Sequence, residues 1–163
     1  MKVQAKGVRG ALAAALIGAG VAVAVPAFAH HSFAIFDAEV TKVFTGVVTR
    51  VNPDANHLQI FFAPMNKDHT NVERGPDGKP ITWAVEMAGS AQAAKDGISV
   101  STFQPGTIFS VGLHPLRSGD PAGSRQGALI KCPAKKPPAV GKHCDSVAGS
   151  EKLGEGELAT PTE

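Results

Sequence analysis

The chain has 163 residues, with 16 Lys and Arg against 14 Asp and Glu and a formal charge of +2. Three of those basic residues, Lys2, Lys6 and Arg9, precede an uncharged run from Gly10 to Val25, and no acid does. A chain cleaved after that run keeps 13 basic residues (16 less three) against 14 acids, which excludes an overall basic surface for nucleic acid or anionic lipid.

The first 29 residues have the three parts of a secretory signal peptide. A basic start is followed by an apolar run that Pro26 ends, and Ala27-Phe28-Ala29 places small residues at both positions that determine cleavage. The apolar run is shorter than the about 20 residues that a membrane anchor needs. The sequence therefore predicts a signal peptide over residues 1–29, a periplasmic or secreted protein, and no membrane attachment after processing.

Three extended segments follow the predicted cleavage point. Val40–Val51 is dense in Val and Thr, and Gly46 in its middle removes a side chain where a strand of a small closed barrel must coil. Turn residues after it predict a return along His57–Ala63. The polar stretch Pro64–Lys79 predicts a long excursion before a third strand at Ile81–Met87.

One short helix and two further strands complete the predicted domain. Ser90 is placed to cap a helix that ends before Gly97. Thr107–His114 and Gly127–Lys131 predict the fourth and fifth strands. Five strands with one helix between the third and the fourth predict an all-β fold, a small OB-like barrel over residues 30–131.

The tail, residues 132–163, is rich in Pro, Gly and Lys and lacks periodicity, which predicts a largely disordered segment. Cys132 and Cys144 are the two cysteines of the chain. In an oxidising compartment they are expected to form a disulfide. An alternative uses both sulfurs with His143 as a metal site.

Several motifs together resemble a known family. They are HHSFAIFD at the predicted mature start, Asn52-Pro53 after the first strand, the strand WAVEM, Gln104-Pro105-Gly106, and HPLRSG from His114 onward. Between His30 and Leu129 the chain resembles a family of small secreted bacterial proteins classed as a domain of unknown function. The resemblance implies a domain definition and no known activity.

Catalysis has little support in the sequence. The chain has no Gly-x-Ser-x-Gly motif, and no Ser, His and acid stand at the spacing of a known hydrolase motif. With one Trp, no Tyr and eight Phe, most of them in apolar strands, the aromatic side chains are expected in the core. That expectation disfavours both a stacking platform and a copper oxidase acting on a polymer. We therefore predict a binding protein and not an enzyme.

The histidines carry the sharpest functional hypothesis, which is copper binding. Cleavage after Ala29 would free the α-amine of His30 beside its own imidazole, and these two nitrogens with a third from another imidazole suit Cu(II) in a planar arrangement. His31 and His114, at the end of the fourth strand, are the further candidate ligands. Cleavage after Ala27 would instead make His30 the third residue, which is also a planar Cu(II) motif.

Each histidine also has a structural alternative. His30 and His31 are equally consistent with a polar terminus, and His114 with a hydrogen bond that holds the turn after the fourth strand. His57 and His69 are expected to be solvated loop residues.

The functional alternative needs no metal. In it, the barrel face or the excursion binds a small ligand or a protein partner whose identity the sequence does not indicate. The histidines are then incidental, and Arg117 holds an acid of the lead-in, such as Asp37.

The cleavage site gives a direct prediction. The exported protein should begin at His30, because the small residues Ala27 and Ala29 flank the only bulky residue of the cleavage triplet. Intact mass and amino-terminal sequencing of the exported fraction measure this. Retention of residues 1–29 would contradict the prediction, and a start at Phe28 would select the other register.

Overall fold

The computed structural model describes residues 33–53, 56–134 and 136–162, so the predicted signal peptide, His30 and His31 lie outside the described residues. The described part contains six strands and one α-helix: β1 (Lys42–Pro53), β2 (His57–Pro64), β3 (Trp83–Gly89), α1 (Ser90–Lys95), β4 (Ile108–Pro115), β5 (Ala122–Lys131) and β6 (Glu151–Leu158). No helix within it is long and apolar enough to cross a membrane.

Strands β1 to β5 close into a barrel. β1 pairs antiparallel with both β2 and β4, β2 pairs with β3, and β4 pairs with β5. A parallel pairing of β3 with β5 closes the ring. With α1 between β3 and β4, this is the OB connectivity, and the predicted fold class is confirmed.

The barrel interior is filled by alternate side chains of its strands and by Ile98 and Phe103 of the α1–β4 connection. Phe62, Phe103 and Phe109 are fully buried. The Phe109 ring packs edge-on against both of the others, with centroid distances of 5.4 Å to Phe62 and 5.5 Å to Phe103. Edge-to-face packing of this kind adds to the stabilisation from buried area. Phe44 and Trp83 are partly buried against this core, so the expectation of core aromatic residues holds for these five side chains.

Gly46 is required by the close approach of β1 to β2. A Cβ atom at this position would lie 2.6 Å from Phe62 Cδ2 and 3.0 Å from the Ala63 carbonyl oxygen. The missing side chain therefore makes room for the Phe62 ring where the strand coils, as the sequence predicted.

Several element boundaries differ from the sequence-based expectation, and those of β5 and α1 are the most informative. β5 begins at Ala122, not at Gly127, because its polar first half pairs with β3 on one side and β4 on the other. Ser90 is the first residue of α1 and Gly89 occupies the cap position. The stop at Gly97 is as predicted, since that residue adopts a φ of 76°.

The tail departs most from expectation, because its described residues are ordered against the outside of the barrel. Cys132 and Cys144 form the predicted disulfide, and both are buried with Ala128 and Ile130 in a second, smaller apolar cluster. Towards its end the tail forms β6, which pairs antiparallel with β5. The prediction of a largely disordered tail is not borne out over these residues.

Strand β6 also covers an ion pair that joins α1 to β5. Arg125 Nη2 lies 2.8 Å from Asp96 Oδ2, and the two side chains are only 14% and 6% exposed. Gly154 of β6 sits over this pair with a φ of 84°, and a Cβ atom there would lie 2.5 Å from Arg125 Nη1. A glycine is therefore needed where β6 crosses the ion pair.

The contact at Gly46 leads to a stability prediction. Gly46→Ala should lower the free energy of unfolding by about 1–3 kcal/mol, because the added methyl group overpacks the Phe62 ring. Urea denaturation measures the change. Thr49→Ala, at an exposed position of the same strand, is the control and should change stability by no more than about 0.5 kcal/mol. Equal stability of Gly46→Ala and the wild type would contradict the account.

Candidate functional site

The lead-in to β1 is held against the loop that joins β4 to β5. Phe36 forms an antiparallel bridge with Leu116. The Asp37 N–H donates to the Pro115 carbonyl at 2.8 Å, and the Arg117 N–H donates to the Ile35 carbonyl at 2.9 Å. A short 3₁₀ turn over residues 33–35 precedes these bonds. The described chain therefore starts beside the end of β4.

Arg117 and Asp37 form the ion pair that the sequence suggested. Arg117 Nη2 lies 3.5 Å from Asp37 Oδ1, with side-chain exposures of 57% and 30%. At this exposure an ion pair contributes little to stability. The backbone hydrogen bonds are therefore the main interactions that hold the lead-in in place.

His114 is half-buried and its ring is oriented by the backbone. Its Nδ1 lies 2.8 Å from the Val40 carbonyl oxygen. Because a carbonyl only accepts, Nδ1 carries the proton, and in the neutral ring Nε2 keeps its lone pair. A histidine that donates one nitrogen to a carbonyl and offers the other is the arrangement common at metal ligands. The ring is hydrogen-bonded, as the structural alternative expected, but to the lead-in to β1 and not to the turn after β4. The bond is compatible with ligation.

The last described residues of the chain also hydrogen-bond to the lead-in, at Thr41. The Thr41 N–H donates to Thr162 Oγ1 at 2.9 Å, and the Thr162 N–H donates to the Thr41 carbonyl at 3.1 Å. Val40 is held in turn by its N–H, which donates to the Asp37 carbonyl at 3.1 Å. The segment that presents a carbonyl to His114 is thus bound from both sides.

The predicted metal site of His30, His31 and His114 stays a prediction. Only His114 lies among the described residues, and within those residues no three His, Cys, Asp or Glu side chains are grouped to hold a metal ion. His31 is two residues before Phe33, and each residue spans at most about 3.6 Å. Among the first described residues after it, residues 35–37 are bonded to the end of β4 and to the β4–β5 loop.

Two other histidines make more contacts than the sequence predicted. His57 is the first residue of β2, and its Nδ1 lies 3.2 Å from the Met87 carbonyl oxygen and 3.4 Å from Glu86 Oε1. His69 adopts a φ of 52° in the excursion, and its Nδ1–H donates at 3.1 Å to the Pro138 carbonyl of the tail. Neither is a freely solvated loop residue.

His143 belongs to a polar cluster that sequence reasoning missed. Its Nδ1 lies 2.9 Å from Thr45 Oγ1, which lies 2.7 Å from Ser110 Oγ. Burial lowers the pKa of His143, nearby Asp145 acts to raise it, and His69 acts to lower it. The metal site that combined this ring with both cysteines is excluded, because the two sulfurs are joined in a disulfide.

The outward face of β1 and β2 carries a second polar group. The Arg50 guanidinium carbon lies 3.9 Å from the centroid of the Phe61 ring. Asn52 Nδ2 donates to Gln59 Oε1 at 3.4 Å in the next cross-strand position. Phe61 is thus an exception to the expectation that the aromatic residues lie in the core.

Comparison with known proteins agrees with the resemblance seen in the motifs. Residues 19–126 match the model of a family described as "Family of unknown function (DUF6152)". The chain belongs to this family. Searches of curated proteins and of solved structures found no match. The family assignment thus defines the domain without adding an activity.

The His114 hydrogen bond predicts a difference between two substitutions. His114→Ala should lower the free energy of unfolding by about 0.5–1.5 kcal/mol, the usual contribution of one hydrogen bond. His114→Asn should lose less, because an Asn amide N–H can occupy the place of Nδ1–H and donate to Val40. Chemical denaturation of both variants measures this, and equal losses would argue against the bond's contribution.

Proposed function

We propose that this protein is an exported small β-barrel that binds copper through the histidines of its processed amino terminus. The observation that carries the proposal is the bonding of the lead-in to the loop after β4, with the Asp37 and Arg117 N–H groups as donors. That bonding places the first described residues beside the end of β4, where the His114 ring uses Nδ1 for the Val40 contact, so Nε2 would be its nitrogen for a metal.

The proposed ligands differ in kind. His30 would supply its α-amine and its imidazole, and His31 or His114 would supply a further imidazole. The α-amine titrates at about 7.7–8.0 in model compounds, well below a lysine, so copper can displace its proton near neutral pH. Nitrogen ligands in a planar arrangement favour Cu(II). The arrangement suits holding or delivering copper, not turning over a substrate.

Export is part of the proposal. The basic start, short apolar run and Ala27-Phe28-Ala29 triplet are the features on which it rests. The disulfide between Cys132 and Cys144 supports it, since structural disulfides form in oxidising compartments such as the bacterial periplasm. A periplasmic or secreted location would also provide the cleavage that frees the His30 amine.

A second candidate function is a module that binds a ligand without metal. It is favoured by Arg50, whose guanidinium carbon lies 3.9 Å from the centroid of the Phe61 ring on the outward face of the barrel. A stacked guanidinium keeps its in-plane N–H groups available to a carboxylate or phosphate. On this alternative the amino-terminal histidines are incidental.

The copper proposal predicts that the processed chain binds one Cu(II) per molecule. Adding one residue before His30 should weaken binding tenfold or more, about 1.4 kcal/mol, because the α-amine then belongs to another residue. Titration calorimetry on the two chains at pH 7.5 measures the difference. Binding should also weaken as pH falls, since the amine and the imidazoles must lose protons to coordinate.

Side-chain variants separate a ligand role of His114 from its structural role. His114→Asn keeps a donor for Val40 and removes Nε2, so it should weaken copper binding while largely preserving stability. His69→Ala is the control and should leave copper binding unchanged, because the His69 ring is bonded to Pro138. Equal affinity of the extended and processed chains would overturn the amino-terminal site and favour the non-metal module.

A further inference from the structure

The tail is joined to the barrel wall by a chain of buried hydroxyl groups. Thr45 of β1 and Ser110 of β4 are opposite each other in the ladder, and they are only 4% and 0% exposed. The Cys144 N–H donates to Ser110 Oγ at 2.9 Å, and the two hydroxyl oxygens are 2.7 Å apart. His143 Nδ1 lies at the outer end, 2.9 Å from Thr45 Oγ1.

The direction of the protons along this chain follows from counting donors. Among the described contacts, Ser110 Oγ meets only the Cys144 N–H, which donates to it, and Thr45 Oγ1. The Ser110 O–H therefore donates to Thr45, and the Thr45 O–H donates to His143 Nδ1. Every proton is then used, and the His143 ring is neutral with its own proton on Nε2.

The surroundings of His143 oppose a positive charge on balance. Burial is the largest influence and lowers the pKa of the ring below the reference value of 6.5. His69, whose Nδ1–H is bonded to Pro138, lowers it further, whereas Asp145 acts in the opposite direction. The groups that face the ring from β1, from the excursion and from the tail are thus Thr45, His69 and Asp145.

We propose that His143 is an acid-sensitive latch, which loosens the tail around Cys144 from the outer face of β1 and β4 when its ring gains a proton. The proposal does not depend on copper binding or on the amino terminus.

The physical step is a reversal of the direction in which the hydroxyl groups of this chain donate their hydrogen bonds. A protonated ring carries an N–H on Nδ1, so Thr45 must accept from it and donate to Ser110. Ser110 then accepts twice, and its own O–H loses its described acceptor in a fully buried place. A buried polar hydrogen without an acceptor is costly.

The direction of the pH dependence follows from the lowered pKa. When a histidine has a lower pKa in the closed state than in the open state, the closed state is favoured fully above the open-state pKa. That advantage is lost as pH falls from about 6.5 toward the lower closed-state value. Opening should therefore increase in the range below pH 6.5.

Hydrogen exchange of the full disulfide-bonded chain tests the latch. Protection of the amides in residues 139–147, corrected for intrinsic exchange rates, is measured between pH 7.5 and pH 5.5. In the wild type, opening should increase several-fold on acidification, with a ceiling of about tenfold one pH unit below 6.5. No change in corrected protection would overturn the proposal.

Two variants identify the titrating group. His143→Asn offers an acceptor near the place of Nδ1 but does not titrate, so its protection should no longer depend on pH. His57→Asn alters a ring that contacts Met87 and Glu86 instead, and it should keep the wild-type dependence. If His143→Asn retains the wild-type pH dependence, His143 is not the latch.

A measurement on the wild type decides the question if His143→Asn does not fold. Nitrogen NMR of the ring should find the proton on Nε2 at neutral pH and a titration below that of a solvated histidine. A proton on Nδ1, or a titration at or above the reference value, would contradict the proposed direction of the hydroxyl chain.

Discussion

The pairing of β1 with β4 is the interaction on which the rest of the structure depends. On the inward side of this ladder Phe109 and its neighbours form the core. On the outward side Thr45 faces Ser110, and these two hydroxyl groups form the hydrogen bonds that hold the tail. Where the ladder ends, His114 comes close enough to donate to Val40. Core, tail and candidate metal ligand are therefore positioned by one set of backbone bonds.

The parts of the fold that were predictable from sequence are those whose local pattern agrees with their packing. β1 is dense in Val and Thr around Gly46, and a glycine with positive φ follows the end of α1. β6 was not predictable, because it needs only one well-buried side chain, Leu153, and it contains Gly154 to clear an ion pair below it. Its ordering comes from β5 and not from its own sequence.

The site residues divide in the same way, into those whose contacts a local sequence pattern indicates and those whose contacts it does not. Arg117, Asp37 and His114 stand in or beside turns, and the sequence indicated the ion pair and a hydrogen-bonded His114, though not its partner Val40. The contact of His143 with Thr45 gave no such signal. A threonine on the outward side of a strand ordinarily faces water, and its partner here is 98 residues away in the chain.

The tail is held to the barrel at several independent points, and this limits what opening at His143 can do. Cys144 stays joined to the end of β5 by its disulfide, and β6 stays paired to the same strand. Thr162 holds Thr41 at the start of β1. A break at Thr45 therefore frees a segment that is closed at both ends, and the entropy gained by so short a loop is small. Opening should therefore be local and reversible, and β1, which carries Thr45, is the strand whose contacts change first.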